Sequence, residues 1–235
     1  MSRPDVQRPE LPEYMTWEKL ETLPEEIAER IELWNGRVVW LRREPHEHQE
    51  FTNLLWSGLR RCARTAMSAD PEQCWRVSTE TNVFFGRTGM SDFVTPDFMV
   101  YRCMSEPYRY VRSDRVVLVG EVLSPSNSDA DMELKKARYA KAGIPWYWEV
   151  TLATQRSEIA HIHAYTLVPD VRPPEPAITV LHRANYILAG AWSPTDTGSI
   201  TINHPFPITI PWSDMDFRPA RGPAPDSAGA LAGAA

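Results

Sequence analysis

The run Val116-Val117-Leu118-Val119-Gly120-Glu121-Val122-Leu123 constrains this chain more than any other stretch. Its aliphatic, largely β-branched content reads as a strand, and its lack of alternation predicts cover on both faces. Glu121 is the exception within it. A carboxylate carried into such a core must be paired, protonated, bound to a metal, or placed where the strand emerges. A strand covered on both faces needs a sheet with layers above and below. The expected fold is therefore α+β (α/β in broad terms), a central mixed sheet flanked by helices.

The neighbouring sequence supplies the rest of the unit. Pro96-Asp97 leads into Phe98-Met99-Val100-Tyr101, a second apolar strand whose start the proline helps to set. After Ser124-Pro125-Ser126, residues Asp129, Asp131, Glu133, Lys135, Lys136 and Arg138 read as a charged helix stopped by Gly143 and Pro145. Trp146-Tyr147-Trp148-Glu149-Val150 follows as a third strand. In this order, pairing of the first two strands lets Asp97 and Glu121 converge on one divalent cation. Oxygen ligands of this kind suit magnesium or manganese rather than structural zinc. Lys135 follows Asp131 by one helical turn, the spacing of an i,i+4 ion pair. Such a pair is also ordinary surface chemistry, and structural pairing is the alternative reading of Glu121.

Composition bounds the rest. The chain has 235 residues, enough for a real core. One domain over residues 13–217 is expected, between a flexible arm at 1–12 and a disordered Ala/Gly/Pro-rich tail at 218–235. Cys62, Cys74 and Cys103 are too few and too scattered for a disulfide scaffold or a zinc cluster, which suggests a reducing, cytoplasmic compartment. There is no apolar signal core and no stretch of membrane-spanning length, so no membrane association is expected. A net charge of -6 argues against sequence-independent coating of nucleic acid.

Elsewhere, Thr16 reads as the cap of a short helix, Pro24 interrupts it, and residues 25–30 form another turn or two. Ile31-Glu32-Leu33-Trp34, Asn35-Gly36 and Arg37-Val38-Val39-Trp40-Leu41 read as a hairpin, with Trp34, Val38 and Trp40 expected on one surface. From Glu47 onward, Phe51, Leu54, Leu55, Gly58, Leu59 and Cys62 predict a helix of about four turns. Arg60, Arg61 and Arg64 fall near its expected C-terminal end, where the helix dipole accounts for them. Residues 73–85 alternate as one strand, with Glu80 on its exposed side. Further strands are expected at 158–167, 178–181 and 186–188, with proline-bracketed edge pieces at 200–202 and 206–210.

Taken in order, several segments resemble the Uma-type restriction-endonuclease-like family of the PD-(D/E)XK nuclease superfamily. They are Asp97, Glu121-Val122-Leu123-Ser124-Pro125-Ser126, Asp131, Lys135, Tyr139 and Ala142-Gly143-Ile144-Pro145-Trp146-Tyr147-Trp148. The resemblance begins at Met15-Thr16-Trp17, includes Ile31-Glu32-Leu33 with Asn35-Gly36, and reaches residues 207–215. It implies that Asp97 and Glu121 are metal ligands, with the backbone carbonyl of Val122 as a further ligand. The superfamily's usual basic residue stands two positions after the glutamate, which is Leu123 here. The resembled family instead carries a lysine on the following helix, matched by Lys135. Glu32 and His48 match the family's amino-terminal pattern. For Glu32 the choices are a second metal, the orientation of Lys135, or pairing near the sheet edge. For His48 they are contact with a phosphate or metal-bound water, or a capping role. Asp131 is a supporting residue.

The function implied is magnesium-dependent hydrolysis of DNA phosphodiester bonds, with manganese as a substitute and no organic cofactor. The alternative is a nuclease-like module that binds nucleic acid or protein without turnover. Exposed tryptophans and the strand-rich C-terminal part add the expectation of a homodimer.

Overall fold

The computed structural model describes residues 9–41, 44–86, 89–106, 110–123, 129–154, 157–169 and 185–217. Most of the expected N-terminal arm, the Ser124-Pro125-Ser126 turn, the expected strand at 178–181 and the expected tail lie outside the described residues.

The Thr16 side chain accepts from the Lys19 N–H at 3.4 Å and opens α1 (Trp17–Leu20), and Pro24 precedes α2 (Glu25–Ala28). The hairpin of β1 (Ile31–Trp34) and β2 (Arg37–Trp40) turns through Asn35 and Gly36 at φ 52° and 83°, as a tight two-residue turn requires. Leu33 pairs with Val38 and Ile31 with Trp40, and these four pack with α1 and α2. Trp34 does not join them. Adjacent residues of a strand face opposite ways, so Trp34 shares its side with Glu32, which corrects the expected grouping with Val38 and Trp40.

Helix α3 spans His46–Ala69, well beyond the expected four turns. Cys62, Ala63 and Ala66 continue its packed stripe with side chains too small to stand out in a count of large apolar residues. Arg60, Arg61 and Arg64 therefore lie away from its last turn, which carries no basic residue, and the helix dipole does not account for them.

The expected single strand at 73–85 is divided into β3 (Trp75–Thr79) and β4 (Val83–Phe84). Glu80, at φ 45°, lies at the break, and the two pieces join different sheets. Next come β5 (Phe93–Val94), β6 (Phe98–Arg102), β7 (Val111–Arg112), β8 (Val116–Leu123) and helix α4 (Asp129–Lys141). The chain continues with β9 (Trp146–Leu152), β10 (Ile159–Val168), β11 (Asn185–Trp192), β12 (Ser199–Ile202) and β13 (Ile208–Pro211).

A six-stranded sheet runs β11-β10-β9-β8-β6-β3, with β8 and β9 parallel and the other neighbours antiparallel. A five-stranded sheet runs β2-β1-β5-β4-β7, and β12 pairs with β13. On one face of the larger sheet Phe98, Leu118, Val122, Trp148 and Ile162 pack with α3 and the β12–β13 pair. On the other, Met99, Val119 and Tyr147 pack with Tyr139 and Ile144. The fold is the expected α+β arrangement, a mixed sheet core flanked by helices.

Gly120 is required where it stands. It pairs with Phe98, and a Cβ at this position would lie 2.0 Å from Phe98 Cζ. Phe98 is fully buried, with the Trp148 ring edge-on to its own at 6.4 Å between centroids. Gly120→Val is expected to destabilise by about 1–3 kcal/mol through overpacking. An unchanged urea midpoint would contradict that account.

Two sequence expectations change. Register across β3 and β6 pairs Trp75 with Arg102, which places Cys74 beside Cys103, and the two are joined as a disulfide with Cα atoms 5.3 Å apart. Their separation of 29 residues concealed that proximity, and the inference of a reducing compartment loses the support it drew from the cysteines. Cys62 is free and buried. None of the nine tryptophans is exposed, so they offer no ready-made dimer surface. No helix among the described residues is long and apolar enough to cross a membrane.

Candidate active site

Register builds the site. Phe98 pairs with Gly120, so Asp97 and Glu121 stand opposite one another a step further along the β6–β8 ladder. Residues opposed in this way point to the same face. Asp97 Oδ2 accepts from the Val122 N–H at 2.6 Å and lies 3.0 Å from His48 Nε2, at the start of α3. The first turn of α3 thereby meets the end of the central sheet.

Lys135 enters from α4. Its Nζ lies 2.9 Å from Glu121 Oε1 and donates to Glu121 Oε2 at 3.0 Å and to the Thr95 carbonyl at 3.2 Å. Glu32 Oε1 is 3.4 Å away. One turn further along the helix, Tyr139 donates to Glu121 Oε1 at 2.5 Å. Glu32 is itself held at both oxygens, by the Thr95 N–H at 2.8 Å and Trp34 Nε1 at 2.7 Å. The ammonium is thus surrounded by acceptors and only 11% exposed. It points inward, not along the helix surface.

Asp131 does not make the expected pair. It is exposed, and no ion pair joins it to Lys135 among the described residues, because Lys135 is drawn to the two buried carboxylates. It still lines the same cleft of about 1530 Å³ as Glu32, His48, Asp97, Glu121 and Lys135. Glu80, read from sequence as an ordinary strand-face acid, sits on the rim of that cleft, where Gln49 donates to it.

The environment sets the protonation of these groups. Burial pushes the Glu121 carboxyl up to about 8, against the pull of Lys135 and with the help of the Asp97 charge. Burial opposes the charge on Lys135, but Glu121, Glu32 and Asp97 outweigh it and lift the lysine above its ordinary value. For His48, burial is likewise outweighed, by the hydrogen bond and charge of Asp97 and by the charges of Glu44 and Glu121.

These shifts give a signed prediction. Between about 4.5 and about 8 the folded protein keeps the Glu121 proton that the unfolded chain has released. Over that window the folded state binds more protons, so rising pH lowers stability. His48 acts in the same direction: its contribution is full below 6.5 and is lost as pH passes its raised folded value. Metal-free protein is expected to show a lower urea midpoint at pH 8 than at pH 5, with a smaller difference in Glu121→Gln. Equal midpoints would count against this protonation scheme.

Sequence reading did not assign roles to Thr95, Trp34 or Tyr139. Thr95 bridges Glu32 and Lys135 through its own backbone, which leaves no side-chain signature. Tyr139 lies four residues after Lys135, and that spacing on one helix face was the available signal. Among the described residues, no group of three or more His, Cys, Asp and Glu side chains is placed to hold one metal ion.

Comparison with known proteins agrees with this architecture. The family model Uma2, described as "Putative restriction endonuclease", matches residues 17–189. A crystal structure from Anabaena variabilis ATCC 29413, titled as that of "a putative nuclease belonging to DUF820", superposes with a TM-score of 0.53 at 15% identity. The match covers 86% of this chain and 97% of the other. No curated protein matches the chain. With the family model spanning most of its length, the chain belongs to the Uma2 family of restriction-endonuclease-like proteins.

Proposed function

We propose that this protein is a magnesium-dependent endonuclease that hydrolyses DNA phosphodiester bonds. The observation that carries the reading is the opposition of Asp97 and Glu121 at one end of the β6–β8 ladder, with the Lys135 ammonium against Glu121 in the same cleft.

The residues present fit a magnesium ion. Asp97 Oδ2 is occupied by His48 and Val122, while Oδ1 accepts no hydrogen bond among the described residues. The Val122 N–H points at Asp97, and in an extended strand the carbonyl of the same residue points to the same side. Magnesium keeps several waters and takes one or two protein carboxylates together with substrate phosphate, so a site without three acidic or histidine ligands suits it. Asp97 and Glu121 would hold the ion, with the Val122 carbonyl as a third oxygen; manganese takes the same donors. When bound, the cation supplies a polarised water and charge stabilisation at the phosphate.

The chain's own groups divide the remaining work. Lys135 stays protonated, so it acts as a fixed positive charge toward the developing phosphate charge, not as a base. Glu32 and the Thr95 carbonyl hold that ammonium in place. His48 and the Val122 N–H fix the orientation of Asp97. Asp131 lines the exposed edge of the same cleft as Lys135.

A second reading, a nuclease-like binding module without turnover, is favoured by one feature: Lys135 lies within 3.0 Å of Glu121 Oε2 and 2.9 Å of Oε1, where an ion would bind. Incubation of wild type and Glu121→Ala with a mixed DNA panel, in magnesium or manganese and in chelator, separates the two. Cleavage that needs the metal and Glu121 supports the enzyme. DNA binding with no product under any of these conditions supports the module.

A further inference from the structure

We propose that the flank of α3 running from Gln49 through Trp56 and Arg60 to Arg64 is a binding surface for the phosphate backbone of nucleic acid leading away from the carboxylate cleft. The inference rests on the nuclease reading for the identity of the polyanion. It accounts for a basic cluster that neither the helix dipole nor the catalytic arrangement uses.

Position comes first. At 100° per residue, Trp56 and Arg60 fall within roughly 20° of Gln49 around the helix axis, and Arg64 within roughly 60°. Gln49 lines the cleft, so this flank begins at its rim. Arg60 and Arg64 then lie roughly 17 and 23 Å further along the axis, about five and seven base-pair steps of duplex. A groove of about 470 Å³ opens here, lined by Trp56, Ser57, Arg60, Arg61, Arg64 and Ser68.

The side chains are also held and available. Trp56 Nε1 donates to the Val77 carbonyl of β3 at 2.9 Å, and the Arg60 guanidinium stacks 4.9 Å from the centre of its ring. Arg61 is committed to Asp214 at 2.6 Å. Arg60 and Arg64 are exposed and make no ion pair among the described residues. Guanidinium groups beside serine hydroxyls are donors suited to phosphate oxygens.

Charge balance explains why such a surface is needed. The cleft lining carries Glu21, Glu26, Glu29, Glu80 and Asp131 against Arg30 and Arg37 besides Lys135, Arg37 lies 3.8 Å from Glu13, and the whole chain has a net charge of -6. A polyanion gains little there beyond the reacting phosphate, so neutralisation of the flanking phosphates falls to a site outside the cleft. A narrow line of arginines on the same helix flank as the rim residue Gln49 matches a strand of successive phosphates better than it matches a broad lipid surface.

The test measures binding of a fluorescein-labelled 20-base-pair duplex by anisotropy, in chelator, across a salt series. Arg60→Ser/Arg64→Ser is expected to weaken binding by about tenfold or more and to lower the slope of log K against log salt by roughly 2. Arg60→Lys/Arg64→Lys is expected to keep the slope. If the double serine variant fails to fold by circular dichroism, Arg64→Ser alone is expected to lower the slope by roughly 1. The inference is overturned if the serine variants bind with the wild-type affinity and slope, if wild type binds no duplex, or if the arginines instead govern binding to phosphatidylserine vesicles. Arginine-dependent binding without metal-dependent cleavage keeps this surface and removes the hydrolytic reading. Cleavage with arginine-independent binding does the reverse.

Discussion

Lys135→Met is expected to lower stability at pH 8 by about 3–5 kcal/mol, the cost of leaving buried charge without its partner. Glu121 and Glu32 are only 3% and 1% exposed and would face the vacated space together. Lys135 pulls the Glu121 pKa down, so its loss drives that carboxyl further toward the neutral acid. Taking up a proton is easier in acid, and the deficit is therefore expected to shrink at pH 5. Lys135→Met/Glu121→Gln removes both partners and is expected to recover part of the loss, since matched removal of a buried pair is milder than removal of one member. Urea unfolding of the single and double variants at both pH values measures this. A single variant as stable as wild type at pH 8 would mean that Lys135 is not inserted between the acids.

Asp97→Asn tests the chemistry with less disturbance. An amide oxygen can still accept the Val122 N–H, but it brings no negative charge to a cation or to His48. Metal-dependent cleavage is expected to slow on the order of 10³-fold, equivalent to about 4 kcal/mol of lost transition-state stabilisation. Calorimetric titration with manganese is expected to show weakened binding. The same variant gives a readout independent of turnover. The Asp97 hydrogen bond and charge raise the His48 pKa, so an imidazole titration followed by NMR is expected to shift downward. Unchanged cleavage would defeat the catalytic assignment. A shifted His48 with full activity would leave Asp97 an orienting role only.

Much of this arrangement was legible because Glu121 breaks an otherwise uniform aliphatic run, a local anomaly that a single sequence displays. The Asn35-Gly36 hairpin was legible for the same reason, its turn chemistry being local. Lys135 was different. Its inward direction is set by Glu121 and Glu32, and Glu32 arrives from a hairpin in the other sheet, so helical periodicity predicted only the weaker pairing with Asp131. The length of α3 was underestimated because small residues carry its last buried positions. The division at Glu80 was invisible for another reason: alternation persisted through residue 83 although the backbone changes sheet between β3 and β4. The Cys74–Cys103 pair depends on strand register, which no spacing rule within the chain reveals.

The dependence of Glu32 on Lys135 also has a temporal side. During synthesis the hairpin leaves the ribosome about a hundred residues before its counter-ion, a gap of roughly 5–20 s at ordinary translation speeds. Until α4 emerges, Glu32 is best left hydrated, which discourages early closure of the smaller sheet over it. Docking of Lys135 between the two acids is therefore expected to complete the carboxylate cleft late in folding, not early.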